Sequence, residues 1–498
     1  MRGTLLLTMV NIGLRGSGMC FQIFLSNRIG ATGIGLLQLI LTVSIFAATV
    51  GNCGVRVATL YLTAEECGAR RWDTMGQALY CCLIFGLGTS LLTGVGLYAG
   101  SAWIATHWIG DVTALSSLRL LAIFLPATCL WSVMSSYFTA CSRLSTLVWV
   151  QVLDQVVNIG VTLLLLVFWA GDDVERACLT IVGGNGIATL LTLVLLLSIA
   201  FDGTIRPGQS PAMWRRLRKL CGPLAVNDTL RSGLSTVENM LIPKGLSRYG
   251  ASGQEAMAAY GTIVGMVFPV MMFPSVILLS LGDLLVPELA KWRARNNQQR
   301  VVGLCDRCLR LGTVFALGVA GLCWSTAHLL GELLYRNPQV GTYLRILAPM
   351  ILFLYLDAIV DGIHKGLGEQ VYCVRVNTLT NLLDVILLWV LLPRLGIGGY
   401  IATFTITHII NFYLSVMQLT KVTGYRLPMG FMVKAHLCAL GATVFASFAT
   451  VGQLSLSVTV VTSGASYLLI FAGLLLLSGT FSAKELRWFQ QLFRISNL

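Results

Sequence analysis

Two arginines stand inside predicted membrane spans, and their chemistry points toward an anion. Arg15 lies near the middle of the apolar segment 4–26, and Arg231 lies within the segment 220–243. A charge at the centre of a bilayer costs from about 2.5 to more than 10 kcal/mol, so each guanidinium must face water, a partner or a substrate. Arginine binds phosphate oxygens bidentately, so two arginines facing one cavity would suit a diphosphate. The alternative for Arg231 is a structural ion pair with Asp228, three residues earlier on the same helical face.

Acidic residues within the predicted spans form a second group with possible chemistry. Glu238 follows Arg231 by seven residues and shares its face, so it joins the substrate-binding candidates. The other intramembrane acids could bind Na⁺ or carry H⁺, or could instead pair with cavity arginines. The ion-coupling candidates among them are Asp154, Asp228, Asp357, Asp361 and Asp384.

The composition requires an all-α protein embedded in a membrane. Of the 498 residues, 56% are hydrophobic and only 11% are charged, whereas a soluble domain has about 25% charged residues. A helical span needs roughly 20 apolar residues. The sequence predicts about fourteen such spans, at residues 4–26, 34–55, 76–100, 114–138, 146–170, 178–200, 220–243, 258–286, 308–330, 342–366, 371–392, 398–419, 431–451 and 457–479.

The net charge of +13 is distributed as a topology signal and does not indicate nucleic-acid binding. With the N-terminus in the cytoplasm, 24 of the 34 basic residues fall on the cytoplasmic side and seven fall outside. This split predicts that both termini are cytoplasmic and that the number of spans is even. Three arginines lie within spans, namely Arg15, Arg119 and Arg231.

The sequence contains an internal repeat. Val10-Asn11-x-x-Leu14-Arg15 is matched by Val226-Asn227-x-x-Leu230-Arg231, which adds Asn11 and Asn227 to the substrate-binding candidates. Leu118-Arg119-x-Leu121-Ala122 is matched by Leu344-Arg345-x-Leu347-Ala348, 226 residues later, and this offset pairs Asn158 with Asp384. The repeat predicts two pseudo-symmetric six-helix halves with a substrate cavity between them, and two further helices at the C-terminus.

The predicted division of the chain follows from the repeat. An N-terminal six-helix lobe occupies 1–200, and a basic cytoplasmic loop occupies 201–219. A C-terminal six-helix lobe occupies 220–420, and two extra helices with a cytoplasmic tail occupy 421–498. The four-residue spacings of Gly96 with Gly100 and of Gly261 with Gly265 predict close helix packing.

No pattern indicates a catalytic, metal or cofactor site. The 14 cysteines show no disulfide spacing, and the five histidines are scattered. Cys305-x-x-Cys308 lacks the second pair that a zinc site needs, and no phosphate-binding Walker loop is present. We therefore predict a transporter without a cofactor. A membrane-embedded glycosyltransferase or acyltransferase would require clustered His, Asp or Glu residues at one membrane face.

Several strings together resemble the stage V sporulation protein B family of polysaccharide transporters. These proteins belong to the multidrug/oligosaccharidyl-lipid/polysaccharide superfamily and are related to the lipid II flippase. The strings in this chain are Arg15-Gly-x-Gly18, Arg28-Ile29-Gly30-Ala31-x-Gly33-Ile34-Gly35, Tyr260-Gly261-x-x-x-Gly265, Leu285-Val286-Pro287-Glu288, Ala348-Pro349, Gly366-x-Gly368 and Pro393-x-x-Gly396-Ile397-x-Gly399. The similarity covers about residues 1–430.

The resemblance implies export of an undecaprenyl-diphosphate-linked saccharide across the cytoplasmic membrane by alternating access. The cargo would be a peptidoglycan precursor or a polysaccharide unit, in cell-wall or sporulation biosynthesis. The resemblance also assigns Arg15 to the cavity, whereas Gln22 stands where many relatives have a second basic residue. It implies Na⁺ ligands from Asp228, Asn377, Asn381 and Asp384. We expect a multi-pass monomer in contact with membrane lipids, and the alternative is a drug/cation antiporter of the same superfamily.

Overall fold

The computed structural model describes residues 2–171, 173–201, 208, 210–448 and 455–480, and it describes side chains for all of these except residues 2–9, 11, 170, 283, 284, 447 and 448. This part of the chain is helical almost throughout and contains no strand. Short π-helical turns extend α3, α5 and α8. The α-helices are α1 Arg2–Asn52, α2 Val55–Gly68, α3 Trp72–Trp103, α4 Ala114–Ala140, α5 Leu144–Leu165, α6 Val174–Ala200, α7 Pro211–Tyr249, α8 Gly253–Tyr260, α9 Phe268–Met272, α10 Ser275–Ala294, α11 Gln298–Tyr335, α12 Pro338–Leu347, α13 Ile351–Gly366, α14 Gln370–Leu395, α15 Ile397–Thr423, α16 Met429–Phe448 and α17 Leu456–Leu477.

The described residues contain 12 helical runs long and apolar enough to cross a membrane, so the all-α, multi-pass architecture is confirmed. The predicted number of fourteen spans stays a prediction. One of the 12 runs, Ile12–Asn52, has 41 residues. At 1.5 Å per residue it is about twice as long as a bilayer core is thick. It bends at Gly30, whose φ of 71° and ψ of 179° are accessible essentially to glycine alone.

α7 is not among the 12 runs. Its sequence carries several charged residues and two internal prolines, Pro223 and Pro243. It begins at Pro211, so part of the segment predicted as a loop at 201–219 is helical.

Helix boundaries recur along the chain at the interval found in the sequence motifs. Four boundaries in the first part of the chain have a counterpart 226 residues later. They are the ends of α2 and α10 at Gly68 and Ala294, the starts of α3 and α11 at Trp72 and Gln298, the ends of α4 and α13 at Ala140 and Gly366, and the starts of α5 and α14 at Leu144 and Gln370.

The backbone conformations at the turns recur at the same interval. A residue with a left-handed backbone conformation follows a helix at Arg70 and at its counterpart Asn296. The same conformation recurs at Gly110 and Arg336, and at Ser142 and Gly368. The packing partners also correspond, because α4 packs on α2, α3 and α6 as α13 packs on α10, α11 and α15. Turn geometry and packing therefore support the predicted repeat.

The chain divides into two compact units. Unit 1 comprises Met1–Asn27, Gly245–Ser252 and Thr262–Leu498, and unit 2 comprises Arg28–Lys244 and Gly253–Gly261. The lobe boundaries predicted from the sequence differ from these unit boundaries and stay a prediction. Within unit 1 the last two helices, α16 and α17, both pack on α11. Tyr467 fixes α17 there, because its hydroxyl donates a 3.0 Å hydrogen bond to the Leu317 carbonyl.

The two glycine pairs predicted to pack behave differently. A Cβ atom at Gly261 would lie 2.1 Å from the Ala31 carbonyl oxygen and 2.6 Å from the Gly35 nitrogen, so α1 and the helix containing Gly261 meet backbone to backbone within unit 2. A Cβ at Gly96 would meet nothing within 4 Å, and one at Gly100 would lie 3.9 Å from Ile104 of its own helix. The prediction is right for Gly261 and wrong for the pair at Gly96, whose spacing alone does not bring a second helix close.

We expect Gly261→Ala to destabilise the protein and Gly96→Ala to leave it unchanged. Overpacking a close contact costs about 1–3 kcal/mol, and the carbonyl and amide of α1 cannot rotate away as a flexible side chain could. Thermal unfolding of the purified protein in detergent measures the difference. Equal thermal unfolding temperatures for the two variants would contradict the backbone contact.

Candidate functional site

Unit 1 contains a buried polar network that joins three neighbouring helices. Asn411 of α15 donates a 2.8 Å hydrogen bond from Nδ2 to Oδ2 of Asp357 on α13. Thr380 of α14 approaches the other end of the same amide, with its Oγ1 3.4 Å from Asn411 Oδ1. The second carboxylate oxygen of Asp357 is buried and has no hydrogen-bond partner among the described residues. One oxygen of this carboxylate therefore keeps an open coordination position.

A second carboxylate of unit 1, Asp384, is buried on α14, the helix that carries Thr380. Thr407 and Ser415 lie on α15 one turn before and one turn after Asn411, and both are buried. Carboxylate, amide and hydroxyl oxygens are the ligands that hard cations prefer. The network therefore has the chemistry of a cation or proton site.

The α15 side of this network was not predicted from the sequence. Thr403, Thr407, Asn411 and Ser415 recur every four residues along the helix, and all four are buried. Residues four apart share one helical face. This polar stripe was therefore visible in the sequence, and it would have identified the face of α15 that meets the two carboxylates.

The remaining ion-coupling candidates of unit 1 surround this network without joining it. Asp361 is half-buried, one turn after Asp357, and the Cys373 thiol lies within its hydrogen-bonding reach. Asn377 and Asn381 are half-buried on α14, and their side-chain amides make no hydrogen bond with any side chain or backbone group that the structure describes. The predicted grouping of Asp228 with these asparagines and Asp384 stays a prediction, because Asp228 belongs to unit 2.

Arg15 lies exposed on α1, in the part of the helix that belongs to unit 1. None of the side chains described in the structure forms an ion pair with it. Nearby on α1, Gln22 donates a 3.2 Å hydrogen bond to the Gly265 carbonyl. Gln22 thus ties α1 to the helical turn that follows Gly261. Asn11 has no described side chain, so its predicted role lies outside the described residues.

The α7 candidates all lie in unit 2. Arg231 is exposed, whereas Asn227, Asp228 and Glu238 are half-buried. Arg231 and Asp228, both described in full, form no ion pair with each other, so the structural alternative for Arg231 is not realised here. The Asn227 amide lies 3.5 Å from the Asp228 carboxylate. Arg231 is therefore available to an external anion.

Unit 2 also contains a carboxylate that is hydrogen-bonded across a helix contact. Thr192 of α6 donates a 2.9 Å hydrogen bond to Oδ1 of Asp154 on α5. The residue 226 positions before Asp384 is Asn158, whose amide oxygen lies 3.3 Å from the Thr162 hydroxyl. The two repeats therefore place their acids at different positions.

No group of three or more His, Cys, Asp or Glu residues that could hold a metal ion occurs in the part of the chain that the structure describes. Cys305 and Cys308 are buried free thiols. Burial of both favours the interpretation of these cysteines as small hydrophobic residues.

Solved structures of membrane transporters share this fold. The lipid II flippase MurJ in an inward closed conformation aligns with a TM-score of 0.71 and 12% identity, over 94% of this chain and 98% of that chain. An inward-facing multidrug resistance MATE family transporter of the MOP superfamily aligns with a TM-score of 0.67 and 12% identity, over 83% and 98%. The chain therefore has the fold of these multi-pass membrane proteins.

The sequence comparisons point to a family. Stage V sporulation protein B of Bacillus subtilis (strain 168) is 22% identical over 463 residues, which cover 90% of this chain and 88% of that protein. The family model of the polysaccharide biosynthesis proteins matches residues 1–293, more than half of the sequence. The chain is a member of the polysaccharide biosynthesis protein family.

Proposed function

We propose that this protein is a flippase that moves a lipid-linked saccharide across the cytoplasmic membrane. The cargo we propose is an undecaprenyl-diphosphate-linked saccharide, either a peptidoglycan precursor or a polysaccharide unit. Family membership and the similarity to stage V sporulation protein B support a role in polysaccharide biosynthesis. The shared fold with a lipid II flippase supports a lipid-borne cargo.

The observation that carries the proposal is the state of Arg15. Its guanidinium is exposed within the candidate span Ile12–Asn52, and it has no ion-pair partner among the described side chains. A guanidinium at such a position must face water, a partner or a substrate. A diphosphate would provide a negative partner in the bidentate geometry that arginine prefers. Arg231 is exposed on α7 and forms no ion pair with a described side chain, which supports a second phosphate contact. Asn227 and Glu238 lie on the same helix, and Asn11 stays a prediction because its side chain lies outside the described residues.

The proposed step keeps the lipid tail in the bilayer while the polar head group crosses. The arginines would hold the diphosphate, and alternating access would expose the head group first to one side of the membrane and then to the other. Such a cycle breaks no covalent bond in the cargo, so the protein needs neither a catalytic residue nor a cofactor. We expect the monomer to carry out the cycle.

We propose that the polar network of α13, α14 and α15 couples transport to a Na⁺ or H⁺ gradient. Asp357 and Asp384 are the principal candidates, because Asp357 accepts a hydrogen bond from Asn411 of α15, Asp384 is buried, and neither forms an ion pair with a described basic residue. Either carboxylate can bind a cation or a proton. Asp361, Asn377 and Asn381 border this site, whereas Asp154 and Asp228 are the candidates of unit 2.

The second candidate function is drug/cation antiport, which the fold shared with a multidrug resistance transporter favours. A cationic drug would need a carboxylate at its site, whereas Arg15 and Arg231 present positive charge. A membrane-embedded glycosyltransferase or acyltransferase has less support, because the family relatives and the solved structures of this fold carry the names of transporters or sporulation proteins.

The asymmetry of basic residues supports a cytoplasmic location for both termini. Under this orientation 24 basic residues face the cytoplasm and seven face outward. The outward group is Arg28, Arg176, Lys244, Arg248, Arg336, Arg345 and Arg394.

We expect Arg15→Ala to slow flipping about ten- to a hundredfold. A charge-assisted hydrogen bond contributes about 1.5–3 kcal/mol, and each 1.4 kcal/mol is a factor of ten. The variant is expressed in a host depleted of its own flippase, and the lipid-linked precursor is quantified in each leaflet of the membrane. Precursor should accumulate in the cytoplasmic leaflet, and Arg15→Lys should restore part of the flux.

The matched control is Arg176→Ala, which removes an exposed arginine already paired with Asp173 at 3.4 Å. This variant should flip the precursor at the rate of the unmodified protein. Immunoblots of the membrane fraction confirm equal insertion of all variants. If Arg15→Ala is inserted equally and still flips the precursor at the normal rate, the arginine mechanism is wrong. Drug efflux by the unmodified protein, without any flipping of the precursor, would favour antiport.

We expect Asp357→Asn and Asp384→Asn to abolish the acceleration of flipping by an ion gradient while leaving slow basal flipping intact. An amide cannot take up a proton or provide the negative charge that a cation requires. The measurement uses proteoliposomes under an imposed Na⁺ or pH gradient. Asp111→Asn is the control, because Asp111 caps the turn before α4 by accepting a 3.0 Å hydrogen bond from the Thr113 amide. Unchanged gradient dependence in both variants would refute this coupling site.

A further inference from the structure

The arginine motif that repeats in the sequence forms the same kind of contact in both units. In unit 2 the Arg119 guanidinium lies 5.5 Å from the centre of the Tyr98 ring. In unit 1 the Arg345 guanidinium lies 5.3 Å from the centre of the Trp324 ring. Trp324 follows Tyr98 by 226 residues, as Arg345 follows Arg119. The pair is therefore a repeated structural feature, and the transport cycle proposed above does not use it.

Each pair leaves the donors of its arginine open. Both arginines are exposed, and their aromatic partners are 48% and 38% exposed. Neither guanidinium has an ion pair or hydrogen bond with any group in the described parts of the chain. An aromatic ring attracts the cation but accepts none of its five N–H groups in the geometry of an oxygen acceptor. An oxygen-bearing anion would complete the site.

The depth of the pairs identifies the surroundings of that anion. All four residues lie within candidate membrane spans. The run from Trp72 to Ile109 has 38 residues, longer than a bilayer core requires, and Tyr98 precedes its end by 11 residues. Trp103 and Trp108, 5.5 Å apart, follow on the same run. Tryptophan concentrates at the membrane–water interface, so the pair lies near the level of the lipid head groups.

We propose that each arginine–aromatic pair binds the phosphate group of an anionic phospholipid, one lipid to each unit. The guanidinium would hold the phosphate bidentately, and the ring would pack against the glycerol and the upper acyl chain. In the orientation predicted from the charge count, α4 and α12 would begin on the outer side of the membrane, so both sites would lie on that side. This inference does not depend on which cargo the protein carries.

The test is native mass spectrometry of the full-length protein released from detergent and titrated with phosphatidylglycerol. Binding to one arginine is worth about 1 kcal/mol near a membrane surface, which is about fivefold in affinity. We expect Arg119→Gln and Arg345→Gln each to lower the affinity for one bound phosphatidylglycerol about fivefold. The double variant should lose both bound lipids. Arg248→Gln, which removes an exposed arginine outside the candidate spans, should bind as the unmodified protein does.

Two further arms identify the ligand. Diacylglycerol, which lacks the phosphate, should not bind at these sites, and millimolar inorganic phosphate should not displace phosphatidylglycerol. Arg119→Lys and Arg345→Lys retain the charge and should bind with intermediate affinity, which keeps the test valid if the glutamine variants do not fold. Equal lipid retention by the double variant and the unmodified protein would overturn the proposal, as would tight binding of diacylglycerol or displacement by inorganic phosphate.

Discussion

Hydrocarbon offers no hydrogen bonds, and this constraint governs where polar side chains lie in the protein. A carboxylate buried among membrane helices must find donors on a neighbouring helix. Asp357 finds Asn411, and Asp154 finds Thr192, in each case across a helix–helix contact. These hydrogen bonds fix which faces of the helices meet. A charged side chain without a partner among the described residues, like Arg15, must instead face water or a ligand.

The two repeats preserve backbone geometry and diverge in chemistry. The left-handed residues at Gly110 and Arg336 end their helices in the same conformation although one is glycine and the other is arginine. Turns and helix lengths determine whether the helices can pack, so they change little. Side chains within the spans are freer, and an amide at Asn158 corresponds to a carboxylate at Asp384. A fold built twice can therefore carry different polar groups at corresponding positions of its two copies.

Much of this arrangement was predictable from the sequence, and the exceptions have physical causes. Paired motifs around Arg119 and Arg345 revealed the repeat, because the spacing of motifs survives when most side chains change. The contacts of Asp357 were not predictable, since the donor Asn411 lies 54 residues away on another helix and only the fold brings it near. Glycine spacing also failed at Gly96, because small residues permit a close contact without supplying the second helix.

The polarity of α7 has a consequence for how the protein is made. Segments enter the membrane during synthesis largely according to their own hydrophobicity, and each charge opposes entry by about 2.5–3.5 kcal/mol at the helix centre. α7 carries Asp228, Arg231 and Glu238 and is not among the runs apolar enough to cross a membrane alone. If α7 crosses the membrane, as the sequence predicts, its insertion must therefore be assisted by more apolar segments synthesised before and after it. The charges that make α7 a candidate for ligand binding would thus make the order of synthesis part of its folding.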